Sequence, residues 1–337
     1  MQETPTAGSV PDPGRDAGPF AWAGVRVGVL CNGVAGQGSD AAERAARVVD
    51  ALRAHDAECD DLGTLPDSIP AQMERLGETK PQVVVAVGGD GTVNAGARVA
   101  IGVGASLLVV PTGTMNLIAK DLGVPLAIDR QLMDLTRVRP LRVDFGEVNG
   151  EVFLHSAALG FVPEMTRLRE ALRASEGPVD WTRNAARFAR GLGAVSSRRV
   201  RMATERGEAE RRTRSLLVTC NPLAAAGIVS HNRATLAAGT LGVYASAHEG
   251  AFASLRLCFS LALGGLSRDA GTDWGTCESL SVETGRSMCE VSCDGEIAEL
   301  RTPLEFQCHQ RGLSALVCPD WDRAGDGPGV GAGVGPG

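Results

Sequence analysis

Three stretches of this 337-residue chain set glycines beside side chains that can handle phosphate or a proton. The first is VVVAVGGDGTVNAGARVA, Val83 to Ala100, where an apolar run enters Gly88-Gly89-Asp90-Gly91-Thr92 and then a helical pattern. Glycines there let backbone approach a ligand, and the start of the following helix offers unpaired N–H groups to phosphate. A carboxylate beside phosphate is repelled unless it works on a metal or accepts a proton, so Asp90 is a candidate catalytic residue. The second stretch is Pro111-Thr112-Gly113-Thr114-Met115-Asn116, again between an apolar run and a helical one. The third, Cys31-Asn32-Gly33-Val34-Ala35-Gly36-Gln37-Gly38, precedes the first helix. Together they nominate Asn32, Gly36, Gly88, Gly89, Gly91, Thr92, Gly113, Thr114 and Asn116 as the groups that hold the phosphates and ribose of a nucleotide. A Walker A loop is excluded, because the lysines are Lys80 and Lys120 and neither follows a GxxxxG run.

Near the other end, Val291-Ser292-Cys293-Asp294-Gly295-Glu296 puts two carboxylates around a glycine. An alcohol is a poor nucleophile at neutral pH, and a positioned Asp or Glu can take its proton. Asp-Gly is equally the commonest hairpin chemistry, so a plain turn explains the same residues.

These loops must be carried by a sheet. The runs Val25–Leu30, Gln82–Val87 and Ser106–Val110 read as strands, the last two apolar throughout as in strands buried on both faces. Between the first two, Ser39 and Asp40 read as the cap of a helix running to His55, with Ala45, Val49 and Leu52 at helical spacing. The alternation predicts an α/β fold with a doubly wound parallel sheet, whose ligands bind beyond the carboxyl ends of its strands. From about Leu141 shorter alternating runs follow: Arg142–Glu147, Glu151–Ser156, Ser215–Cys220, Thr240–Ser246, Ser279–Glu283 and Met288–Cys293. They predict a β-rich, antiparallel, sandwich-like second domain over 141–311, after an α/β domain over 23–140. A cleft between the two is the default ligand site. Residues 1–22 and 320–337, rich in Gly, Pro and Ala or Asp, are expected to be disordered tails.

Nine cysteines without a CxxC pair and five histidines without HxxxH or HExxH spacing give no metal pattern, so no metal ligand is nominated. Cys289 and Cys293 share one face of a strand, which two core thiols explain as well as a ligand pair does. The net charge of -7 disfavours nucleic acid as a partner. Locally the sign reverses: Arg167 to Arg214 holds thirteen arginines against six acids, which suits either an anionic membrane surface or a solvated face. The longest apolar stretch, about Leu257 to Leu266, is too short to span a bilayer, and the N-terminus lacks the apolar block of a signal peptide. A cytoplasmic protein is expected, with peripheral membrane contact if the substrate is a lipid. The oligomeric state is left open, a dimer included.

Taken together, the motifs resemble the diacylglycerol kinase catalytic-domain family, which includes bacterial lipid kinases and sphingosine kinases and is more distantly related to NAD kinases. The family's GGDGTxN matches Gly88 to Asn94, and its PxGTxN turn with a following Leu-Gly-x-Pro matches Pro111, Gly113, Thr114, Asn116, Leu122, Gly123 and Pro125. Its first turn is matched by Asn32, Ala35 and Gly36, with Gly33 where proline is usual. FLHSAALGF, TCNPLAAAG and the DGE with a later PLEF resemble its second domain more loosely. The resemblance implies ATP with magnesium on the glycine loops and a lipid, diacylglycerol-like, entering between the domains. It makes Asp90 and Glu296 the carboxylates on which transfer depends, counts Asp294 with the nucleotide site, and returns Leu313–Cys318 to the first domain. Three departures stand out: Leu117 replaces a common Asp, His155 a common Asn, and Ala237-Ala238-Gly239 lacks the acids that help hold a structural magnesium ion. NAD kinase-like chemistry is the nearest alternative, although PTGTMN stands where a Gly-Asn-x-Gly loop would be expected. A non-catalytic nucleotide or lipid binder is the other, and the retention of Asp90 and Glu296 argues against it.

Overall fold

The computed structural model describes residues 18–33, 38–65, 68–160, 198–213, 215–223, 233, 235–246 and 272–321. The first half runs β1 (Arg26–Cys31), α1 (Gly38–Arg53), β2 (Glu58–Cys59), α2 (Ile69–Thr79), β3 (Val83–Gly88), α3 (Asp90–Val103) and β4 (Ser106–Pro111). Two short helices, α4 (Leu117–Asp121) and α5 (Ile128–Asp134), follow. The strands lie in the order β2-β1-β3-β4, all parallel. Every residue of β3 is buried, which is why its sequence shows no alternation. Right-handed crossovers over this strand order put α1 on one face and α2 and α3 on the other. The sheet is therefore doubly wound, as the alternating runs led one to expect.

The second half comprises β5 (Arg139–Val148), β6 (Glu151–Phe153), β7 (Ser156–Gly160), β8 (Arg198–Thr204), β9 (Gly207–Thr213), β10 (Ser215–Cys220) and β11 (Leu241–Ser246). Then come β12 (Thr272–Cys277), β13 (Ser279–Glu283), β14 (Met288–Cys293), β15 (Glu296–Arg301) and β16 (Leu304–Val317). A six-stranded antiparallel sheet has the order β12-β11-β10-β7-β14-β15. The other strands extend the parallel sheet, whose path continues β4-β16-β13-β8-β9, with β5 paired to β16 and β6 paired to β5.

Where the sequence suggests one strand over Glu151–Ser156, two are found, belonging to different sheets. β6 pairs with β5, the chain breaks at Leu154 and His155, and β7 pairs with β10 and β14. The break is imposed from outside: the N–H groups of Leu154, His155 and Ser156 donate to the Asp294 carboxylate at 2.6, 3.0 and 2.8 Å instead of to one neighbouring strand. The helix expected over Ser39–His55 begins at Gly38 and ends at Arg53, and of the segment Leu313–Cys318, Leu313–Val317 is the distal part of the longer β16, which stops one residue short of Cys318.

Two apolar cores result. One lies between the parallel strands and their helices, around Leu30, Leu52, Leu76 and Leu107. The other fills the space between the two sheets, with Phe153 and Phe306 meeting edge to face at 6.4 Å. Cys289 and Cys293 sit in the second core, where burial above all pushes the Cys293 thiol up to about 12. Arg233 joins the halves: it and Asp121 of α4 are almost wholly buried, and its guanidinium reaches Asp121 at 2.9 Å and the carbonyls of Leu154 and Cys220 at 2.6 and 3.0 Å. Loss of either partner would strand a buried charge, typically a cost of about 3–5 kcal/mol.

Of the arginine-rich stretch, the β8–β9 hairpin is described. Arg199 faces Glu210 at 3.0 Å and Arg201 faces Glu208 at 3.7 Å across the strands, in exposed pairs of the kind that contribute little to stability. Residues 161–197 and Arg214, and the apolar stretch at Leu257–Leu266, lie outside the described residues. Among the described residues no helix is long and apolar enough to cross a membrane.

Candidate active site

The glycine turns meet at the carboxyl ends of β1, β3 and β4. At the end of β1 the Cys31 peptide is closed by Gln72 of α2, which accepts from the Cys31 N–H at 2.9 Å and donates to its carbonyl at 3.1 Å. Asn32 then donates its N–H to the Val87 carbonyl of β3 at 3.3 Å, so the first turn leaves the sheet beside the second. Gly36 lies outside the described residues.

The second and third turns touch through their backbones. A Cβ on Gly113 would stand 2.6 Å from the Gly89 Cα and 2.8 Å from the Asn116 Oδ1, and one on Gly89 would stand 3.3 Å from the Gly113 Cα. Asn116 holds the third turn in shape from a left-handed conformation, φ 48°. Its Oδ1 accepts from the Gly113 N–H at 3.0 Å and its Nδ2 donates to the Gly113 carbonyl at 2.6 Å. The side chain is thus committed to its own loop. Thr114 is exposed, whereas Thr92 is buried with its side chain packed under Gly88.

Gly113→Ala is accordingly expected to destabilise the protein by about 1–3 kcal/mol, since backbone on the Gly89 side cannot rotate away as a side chain could. Thermal denaturation of the variant checks this. An unchanged Tm would show that the two turns are not in contact.

α3 starts at Asp90 with Gly89 as its N-cap and no side-chain cap hydrogen bond, so its first N–H groups face the turns. The Asp90 Oδ1 accepts from the Ile118 N–H at 3.3 Å. Burial pushes the Asp90 carboxyl above its ordinary range; the Ile118 N–H opposes that, the nearby Asp294 charge adds to it, and the His155 imidazole opposes it.

The β14–β15 hairpin closes the far side. Cys293 and Glu296 pair across the two-residue turn Asp294-Gly295, with φ 48° and 94°, so the hairpin reading of these residues is correct as geometry. The turn nevertheless faces the site. The Glu296 Oε1 lies 2.8 Å from where a Cβ on Gly91 would stand, which puts this carboxylate directly against the first turn of α3. Asp294 takes Asn94 of α3 at 2.8 Å in addition to the three backbone N–H groups, and Asn94 also donates to the Val152 carbonyl at 3.2 Å. Asn94, Gln72 and Arg233 were not assigned roles from sequence.

For a structural magnesium ion near Gly239 the donors do not fit. Asp144 supplies the carboxylate there, and its two oxygens already accept the N–H groups of Gly239 and Arg311, each at 2.7 Å. The Asn221 Oδ1 accepts from the Ala238 N–H at 2.8 Å. Among the described residues no three His, Cys, Asp or Glu side chains cluster as metal ligands do. The contact between two glycine turns and the start of α3, whose N-cap Gly89 has no side chain to bond its N–H groups, offer backbone donors of the kind that suit a phosphate.

A parallel sheet with glycine turns at its carboxyl edge, closed by an acidic hairpin from an antiparallel sheet, defines a two-sheet α/β protein. Residues 26–148 match the family model of the diacylglycerol kinase catalytic domain, so over that stretch the family resemblance of the motifs is borne out. "Probable lipid kinase YegS-like" of Pseudomonas syringae pv. syringae (strain B728a) is 45% identical over 87 residues, which are 25% of this chain and 28% of that protein. "Probable lipid kinase YegS" of Escherichia fergusonii is 35% identical over 104 residues, 29% of this chain and 35% of that one. The matched stretch thus spans well under half of these relatives. The fold extends further: the crystal structure of a diacylglycerol kinase from Bacillus anthracis str. Sterne superposes with a TM-score of 0.59 at 18% identity, covering 89% of this chain and 98% of that one.

Proposed function

We propose that the protein is an ATP-dependent lipid kinase that transfers the γ-phosphoryl group to a hydroxyl of a diacylglycerol-like lipid. The observation that carries this reading is the placing of the Glu296 carboxylate against Gly91, at the start of the helix that Asp90 opens. The glycine turns supply backbone N–H groups to the phosphates, and magnesium carried with ATP offsets their charge, with Asp90 and Glu296 as the carboxylates at hand. The acceptor approaches from the hairpin side. Its hydroxyl oxygen forms the new bond to the γ-phosphorus, the bond from that phosphorus to the β–γ bridging oxygen breaks, ADP leaves, and the hydroxyl proton passes to Glu296. Asp90, opposite, would hold the magnesium carried with ATP and so keep the nucleotide end in register.

Membrane encounter is part of the proposal, since the acceptor resides in a bilayer and the arginine-rich stretch supplies local positive charge. The test is transfer of radiolabel from [γ-32P]ATP to lipids in mixed micelles, with diacylglycerol, a sphingoid base, ceramide and phosphatidylglycerol as acceptors and NAD as a control. Label in a lipid product supports the reading. Label in NAD alone, or ATP binding without transfer to any acceptor, overturns it.

A further inference from the structure

Asp294 is the most heavily engaged carboxylate of the site. A carboxylate has about four lone-pair positions, and here four donors occupy them. The N–H groups of His155 and Ser156 lie on Oδ1, and that of Leu154 and the Asn94 amide on Oδ2, at 2.6–3.0 Å. The Asp294 N–H in turn donates to the Ser156 carbonyl at 2.9 Å, so the turn and the break between β6 and β7 grip each other from both sides. A metal ion or a substrate proton reaching this carboxylate would have to displace one of these bonds.

Three of the four donors are backbone groups, two between β6 and β7 and one at the first residue of β7; the fourth comes from α3, the helix that carries Asp90 and Gly91. Asn94 is buried, 4% exposed, and its Nδ2 is shared between Asp294 and the Val152 carbonyl. Asn94 lies one helical turn beyond Asp90, and Glu296 lies two residues beyond Asp294 across the turn. The Asn94–Asp294 bond and the approach of Glu296 to Gly91 are therefore two contacts between the same pair of elements. One is a fixed hydrogen bond in a buried place; the other is an exposed carboxylate at the mouth of the site.

We infer that Asn94 and Asp294 are positioning residues forming a latch between α3 and the β14–β15 turn, and that this latch, rather than any contact of Asp294 with nucleotide, sets the distance from Glu296 to the phosphate turn. The inference rests on the kinase reading for its catalytic consequence but not for the latch itself. The charged and titratable groups around it are Arg233, whose guanidinium holds the Leu154 carbonyl, Asp90 at the head of α3, His155, Glu296, and the ion pair of Arg98 on α3 with Glu151 on β6. The bonds of the Asn94 amide among the described residues run to Asp294 and to the Val152 carbonyl, not to any of these groups.

The test uses the full chain and two variants, Asn94→Ala and Asn94→Asp. Asn94→Asp sets two carboxylates against each other, whereas Asn94→Ala only removes the donor. Amide hydrogen exchange at Leu154–Ser156 reads the latch without turnover. Exchange there is expected to rise at least ~10-fold in Asn94→Asp and less in Asn94→Ala. With diacylglycerol as acceptor, kcat of Asn94→Asp should fall at least ~30-fold while the Kd for ADP–Mg2+ by calorimetry stays within ~3-fold. Unchanged exchange in Asn94→Asp overturns the latch. A change in ADP affinity as large as the change in kcat overturns its positioning role. A wild-type chain inert toward every lipid would sink the kinase reading alone, because exchange still decides the latch.

Discussion

Asp90→Asn is expected to lower kcat at least ~100-fold and to leave the Tm unchanged or higher. Both halves of that expectation follow from where Asp90 sits. It heads α3, beside the contact between the two glycine turns, and its carboxyl is held above the ordinary range by burial first and by Asp294 besides. A carboxyl whose pKa is raised on folding binds more protons in the folded state than in the unfolded one. Stability therefore falls as pH rises from the unfolded value, about 3.9, through the folded one, and at neutral pH the charge is a net cost. Asparagine removes that cost and keeps an oxygen to accept from the Ile118 N–H. The same shift places the acid limb of the wild-type kcat/KM profile above the pH at which an ordinary aspartate titrates. Steady-state kinetics against pH, with thermal denaturation of both proteins, checks all three points. A variant that keeps most of the wild-type rate would remove Asp90 from the chemistry.

Glu296→Gln is expected to reduce kcat by about 100-fold or more while ATP affinity changes little, because the phosphates are held by the turns of β3 and β4 and the proton is taken from the other side. The glutamine can still lie against Gly91, so the loss reports the missing base and not a lost contact. A mere hairpin position would behave otherwise: an exposed side chain beside a type I′ turn tolerates this substitution within about 0.5 kcal/mol of stability and without loss of rate. Single-turnover measurement of lipid phosphorylation, paired with calorimetric ADP binding, separates the two. An equal loss of ATP affinity would move Glu296 to the nucleotide.

What could be read from the sequence was whatever a short segment decides by itself. β3 and β4 announce themselves as unbroken apolar runs, the glycine turns by their composition, and Asp294-Gly295 by its turn chemistry. Glu296 could be nominated because it sits in that same segment. Features that depend on residues far apart were not legible. Asn94 meets Asp294 across 200 residues, and Arg233 meets Asp121 across 112. Nothing around Arg233 marks it as buried, and nothing in Glu151–Ser156 shows that an acceptor 140 residues away will split that run between two sheets. Asp294 shows the same limit in reverse. The family resemblance counted it with the nucleotide site, while its four donors show how much of its capacity goes to the protein itself.

β16 has a kinetic consequence. Its distal end runs parallel to β4, pairing Ser314 and Ala315 with Ser106 and Leu107, and the hydroxyls of Ser106 and Ser314 meet at 2.9 Å across 208 residues. Until that strand emerges from the ribosome, β4 offers a bare, strongly apolar edge, the kind of template on which chains associate. High contact order at this one seam should make docking of β16 a late event, gating the completion of both cores, since the same strand lines each of them. Aggregation during synthesis would then be governed by how long β4 waits. A charge placed on the partly exposed Ser106 would ease that wait only by weakening the seam the finished protein needs.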